Sequence, residues 1–111
     1  MPKPREYLNG YQIRQGMNLA GYTLKSVDLK HETISRYHEY HYPIVMIWEP
    51  RSNAGSLSTL VNQLDNHVSK DRVIYTEYGN PYQCHFGDLS HHYQNSNGDV
   101  VINSMGVCKR V

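Results

Sequence analysis

The sequence predicts a single-domain α+β fold, a mostly antiparallel β-sheet with one main amphipathic helix, at about 54–70, packed on one face. Three observations predict it. The run Tyr42-Pro43-Ile44-Val45-Met46-Ile47-Trp48 has strand length and apolar residues on both sides of the pleat, which is what a central strand covered on both faces requires. After Glu49-Pro50-Arg51-Ser52-Asn53 come Leu57, Leu60, Val61, Leu64 and Val68 at three- and four-residue spacing, which sets them on one face of a helix. Turn signals then recur at Gly79-Asn80 and at Asn103 to Gly106 between runs with aromatic and β-branched residues, the mark of antiparallel pairing.

At 111 residues the chain supports one core, because smaller pieces bury too little surface to fold without disulfides or metals. Residues 1–10, with Pro2, Pro4, Asn9 and Gly10, read as a flexible amino-terminal arm, and residues 11–111 as the domain. From Tyr11 to Met17 the pattern is weak. Gly21 to Lys30 alternates, with Tyr22, Leu24, Ser26 and Asp28 on one side and Thr23, Lys25, Val27 and Leu29 on the other, so a strand is expected.

The stretch from His31 to His41 reads two ways. A helix would align Ile34, Tyr37, His38 and His41, but the aromatic content and the extended bias that Pro43 imposes on Tyr42 favour a strand. Pro43 then opens the next strand, where a missing donor is tolerated. Ser52, Asn53 and Ser56 are available to cap the helix.

Beyond the helix, Arg72 to Tyr78 and Pro81 to Gly87 read as a hairpin around Gly79-Asn80. That register pairs Tyr75 with Cys84 and Val73 with Phe86, and puts Val73, Tyr75, Cys84 and Phe86 on one face. Leu89 to Asp99 reads as a polar loop. A second hairpin, turning at Asn103 to Gly106, pairs Ile102 with Val107 and Val101 with Cys108.

The net charge of +1, with basic residues scattered from Lys3 to Arg110, lacks the footprint of a phosphate-backbone binder. Nucleic acid is therefore not an expected partner, although Tyr37, Tyr40 and Tyr42 are the rings that would stack bases if it were. No apolar run approaches the ~20 residues that span a bilayer, and the start carries no signal peptide. A soluble, cytoplasmic protein is expected. Cys84 and Cys108 lack redox-motif spacing, so reduced thiols are expected as well.

Ten Tyr and seven His stand against one Phe, so the large side chains are mostly amphipathic. Among them Tyr37, His38, Tyr40, His41, Tyr42 and His85 are the candidates for binding a ligand or partner. No catalytic residue, cofactor or metal site is expected. His38 and His41 converge on an ion only in a helix, and Cys84-His85 diverge on a strand, where neighbours face opposite sides. The function expected is that of a small non-catalytic binding or regulatory protein acting through a Tyr/His-rich sheet surface. The alternative is a ligand-binding protein or enzyme with a Tyr/His-lined pocket between sheet and helix. One helix covers only two or three strands, because it is ~10 Å across while strands sit ~4.8 Å apart. The uncovered sheet surface predicts a homodimer, with Tyr37, Tyr40 and Tyr42 as contact residues.

Overall fold

The computed structural model describes residues 2–29, 33–34, 37–89 and 91–111. The chain runs α1 (Pro4–Gly10), β1 (Asn18–Leu19), β2 (Tyr22–Leu29), β3 (Thr33–Ile34), β4 (Tyr40–Pro50), α2 (Leu57–Val68), β5 (Arg72–Tyr75), β6 (Pro81–Phe86), β7 (His91–Gln94) and β8 (Val100–Arg110). All pairings are antiparallel, in one curled sheet of order β1-β2-β4-β8-β6-β5, with β3 beside the start of β4 and β7 beside the start of β8.

The apolar run does form the central strand. Every second residue of β4, namely Tyr42, Ile44, Met46 and Trp48, is buried, while Pro43, Val45 and Ile47 are only half-buried. The pleat accounts for the alternation. Only one face of β4 is covered by helix, where two covered faces were expected.

That inner face carries the core. On β8 it presents Val100, Ile102, Gly106 and Cys108, on β6 Tyr82 and Cys84, and on β5 Ile74. The main helix lies over it with Leu60, Leu64 and Val68 buried, and starts at Ser56, whose Oγ accepts from the Thr59 amide at 3.3 Å.

In place of a flexible arm, residues 4–10 form α1 with Tyr7 fully buried, and Tyr11 and Ile13 follow it into the core. Pro4 can open a helix because its first amides need no partner. Tyr7 enters because Gly106 leaves room: a Cβ there would stand 2.7 Å from Tyr7 Cζ. The tyrosine hydroxyls resolve the cost of burying a polar group. Tyr7 donates to the His85 carbonyl at 3.1 Å, Tyr11 to that of Cys84 at 2.6 Å, Tyr42 to that of Pro2 at 2.5 Å and Tyr22 to that of Gly55 at 2.8 Å.

Several expected registers are corrected. In β2 a bulge between Leu24 and Ser26 flips the alternation, so Tyr22 and Leu24, then Val27 and Leu29, all face the core. One extra residue in a strand has that effect.

Among the described residues of the strand expected at 31–41, Thr33–Ile34 and the start of β4 are strand and pair with each other, while Tyr37 and His38 are not strand. Residues 31, 32, 35 and 36 lie outside the described ones.

The β5–β6 register is shifted by three, pairing Ile74 with Tyr82 and Val73 with Gln83, so that Ile74 faces inward and Val73 and Tyr75 outward. The turn starts earlier than Gly79-Asn80 suggests. The Gly79 amide donates to Thr76 O at 2.9 Å, Asn80 N to Thr76 Oγ1 at 3.1 Å, and Gly79 takes the left-handed position at φ 81°. Gly79 is thus the residue that ends the turn.

The hairpin expected at 103–106 is absent, because β8 runs straight through it. Its first half pairs instead with β7, a strand inside the expected polar loop, across a turn at Asn95 to Gly98. Finally, Cys84 and Cys108 are not thiols. They sit directly opposite on β6 and β8, with Cα atoms 4.1 Å apart, and form a disulfide. The Gly87 amide donates to Met105 O, which sets Cys84 and Cys108 at a non-hydrogen-bonded pair, where side chains approach most closely.

Candidate binding face

Strand alternation divides the six sequence candidates between three places. Tyr40 and Tyr42 face the core, Tyr40 edge-on to Tyr82 at 5.8 Å between centroids and Tyr42 stacked on Tyr7 at 5.9 Å. Tyr37 and His38 lie in the turn before β4, both exposed, with His38 in the left-handed region at φ 59°. His41 and His85 reach the outer face, on either side of Val107 in one cross-strand row. So Tyr37, Tyr40 and Tyr42 do not share a surface, and the Tyr42 ring, expected among the contact residues of a dimer, fills the interior.

The outer face is built from the residues between the core positions. It carries Pro43, Val45 and Ile47 on β4, and Val101, Asn103, Met105 and Val107 on β8, paired as Pro43 with Met105, Val45 with Asn103 and Ile47 with Val101. Tyr93 of β7 lies beside Val101, and His91 beside Asn103. Among the described residues, the inner core cluster and the hydrophobics packed against it include none of these side chains. Val101 is buried all the same, between its cross-strand neighbours Ile47 and Tyr93. The seam between β4 and β8 is therefore an apolar stripe that neither α1 nor α2 covers.

Polar groups close both ends of this stripe. At one end Glu39, Asp71, Gln83, His85, Val107 and Lys109 line a shallow cleft of roughly 210 Å³. His41 Nε2 lies 3.3 Å from Glu39 Oε2, and Gln83 Nε2 donates to Asp71 Oδ2 at 3.3 Å. At the other end Lys25 Nζ meets Asp99 Oδ2 at 3.2 Å, with Glu49 on the neighbouring strand, while Asp28 stands on β2 directly beside Val45, at the flank of the stripe. Each end thus holds both signs of charge, and the stripe between them holds none.

On the opposite side of the sheet, burial pushes the Tyr7 hydroxyl far up and the Tyr11 hydroxyl up to about 12, the latter with help from the Asp71 carboxylate. These phenols stay neutral donors, which suits a core and not a reacting group. Among the described residues no three His, Cys, Asp or Glu side chains are grouped to hold a metal ion, and no helix is long and apolar enough to cross a membrane.

Sequence reasoning missed Val45, Ile47, Met105, Val107 and Tyr93 as outer-face residues, with Val101 buried among them. The signal that could have found them is the apolar odd side of the Tyr42–Trp48 run, which was assigned to a second covering layer. Comparison adds no relative to this picture: no protein-family model matches the chain, and no curated protein or solved structure is significantly similar to it.

Proposed function

We propose that this is a non-catalytic binding or regulatory protein that acts through the outer face of its sheet, with a second copy of the chain as its first partner. The observation that carries the reading is the uncharged stripe Pro43, Val45, Ile47, Val101, Met105 and Val107, which lies opposite the core and under no helix. Contiguous apolar surface on a folded domain marks a contact site, and depletion of charge at its centre is the composition of an interface core. The bonded Cys84 and Cys108 favour an oxidising compartment over the cytoplasm expected from the sequence, since cytosolic disulfides are rare.

If the stripe serves contact and not folding, Val45→Thr and Ile47→Thr, which keep β-branched side chains, leave the melting midpoint within about 3 °C of the parent. The measurement is made at ~1 µM, where association adds little to stability. A loss of more than about 10 °C would assign the stripe to the core and end this reading. A second reading, a small-ligand site, is favoured by the cleft at Glu39, Asp71, Gln83, His85 and Lys109. The stripe outranks it because that cleft is small and open, whereas ligand pockets run to ~300–1,000 Å³ and enclose their contents.

A further inference from the structure

We infer that the second copy docks sheet on sheet, about a two-fold axis passing through the β4–β8 seam, so that Val45, Ile47, Val101, Met105 and Val107 pack against their own counterparts. This rests on the outer face being a binding surface. It goes further in naming the symmetry and the sheet-on-sheet packing.

Three features of that face fit a second copy. The first is area. β4 and β8 are each 11 residues long, about 36 Å at ~3.3 Å per residue, and four strands abreast at ~4.8 Å add about 19 Å of width. The face offers about 700 Å² per copy, or about 1,400 Å² for two, inside the ~1,200–2,000 Å² of stable specific interfaces. Curl takes the corners out of contact, while the relief of side chains adds accessible area beyond the flat projection.

The second feature is composition. The paired rows Pro43 with Met105, Val45 with Asn103 and Ile47 with Val101 put a single polar side chain, Asn103, among five apolar ones. An isologous contact brings each residue against the same patch, so the uncharged β4–β8 rows meet their like, with Asp28 beside Val45 and His91 beside Asn103 at the two flanks.

The third is charge at the rim. Glu39, Asp71 and Lys109 stand at one end, and Lys25, Asp99 and Glu49 at the other. Whichever in-plane axis is used, same ends together or opposite ends together, acid lies within reach of base. A surface of one sign at either end would forbid one of the two arrangements, and this one forbids neither. Sheet-on-sheet packing at ~10 Å also suits the side chains present, since Val, Ile and Met interdigitate without polar atoms to satisfy.

Light scattering behind size exclusion, on the full chain at 1–100 µM with a melting curve on each sample, tests this. The parent is expected at twice the 12.9 kDa of one chain. Ile47→Glu is expected to stay folded and run as a monomer, with the dissociation constant raised at least 100-fold, because a carboxylate would be buried against its own copy. Tyr78→Ala, in the β5–β6 turn and off the face, is expected to remain dimeric. A parent that is monomeric at 100 µM, alongside a folded Ile47→Glu, overturns the second copy as occupant and leaves the binding face itself standing. A dimer that persists in folded Ile47→Glu overturns the proposed contact. Should Ile47→Glu unfold, Met105→Lys takes its place with the same expectation of a monomer. Unfolding of both would end the reading of the outer face as a surface.

Discussion

Replacing Gly106 by Ala tests how α1 is held to the sheet. The added methyl carbon would lie 2.7 Å from Cζ, 2.8 Å from Cε1 and 2.9 Å from Oη of Tyr7. Carbon atoms rest at ~3.5–4.0 Å, so the ring must retreat by about 1 Å. It has little room to do so. Tyr11, Phe86 and Tyr42 surround it at centroid distances of 5.0, 5.2 and 5.9 Å, and its hydroxyl is tied to the His85 carbonyl.

Overpacking of this kind costs about 1–3 kcal/mol, and loss of the hydrogen bond adds about 1 kcal/mol. Against this, Gly to Ala in a strand returns roughly 0.5–1 kcal/mol of chain entropy. The expected net loss is about 2–3 kcal/mol in equilibrium urea unfolding, or about 10 °C in melting midpoint at this chain length. If the ring is the cause, Tyr7→Leu should reduce the further effect of Gly106→Ala to under about 1 kcal/mol, the coupling a double-mutant cycle reads. A Gly106→Ala variant as stable as the parent would refute the packing of Tyr7 on β8.

The native protein should show no titratable thiol until it is reduced. Cys84→Ser with Cys108→Ser should lose about 3.5 kcal/mol, the chain-entropy value for a separation of 24 residues, and two reactive thiols in native, unreduced protein would contradict the pairing. Alkaline stability follows from Tyr7 and Tyr11, whose ionisation is shifted upward in the folded state, Tyr11 to about 12. Unfolded tyrosine ionises near 10, so this contribution is complete below about pH 10 and is lost as pH rises from there through 12. Ultraviolet titration should therefore show these two phenols ionising only together with unfolding. In α2, Leu64→Ala should cost about 2–5 kcal/mol, whereas Tyr75→Ala, 63% exposed on an outer strand, should stay within about 0.5 kcal/mol.

What the sequence made legible was what one segment decides alone. The helix is readable because Leu57, Leu60, Val61, Leu64 and Val68 declare one face and Ser56 caps it. The central strand is readable because no charged residue interrupts the run from Tyr42 to Trp48, which is rich in β-branched and aromatic residues. What failed depended on partners distant in the chain. Tyr7 is buried because Gly106, 99 positions away, leaves it a seat. The turn from Asn103 to Gly106 looked sound locally, yet Gly106 is spent on that seat and β8 runs straight. Cys84 and Cys108 meet only once the β6–β8 register exists. The site suffered most from the pleat: adjacent residues on a strand point apart, so Tyr40-His41-Tyr42 could never form one surface.

The central claim, that the outer face along β4 and β8 is where a second copy docks, is tested most directly by isotope-filtered nuclear Overhauser spectroscopy. A mixture of labelled and unlabelled chains reports only contacts between copies. Contacts between copies from the methyl groups of Val45, Ile47, Val101, Met105 and Val107 are predicted, with none from the inner-face methyls of Ile44, Met46 or Ile102. No contact between copies at 0.5 mM, or contacts confined to Tyr75, Tyr78 and the β5 edge, would contradict it.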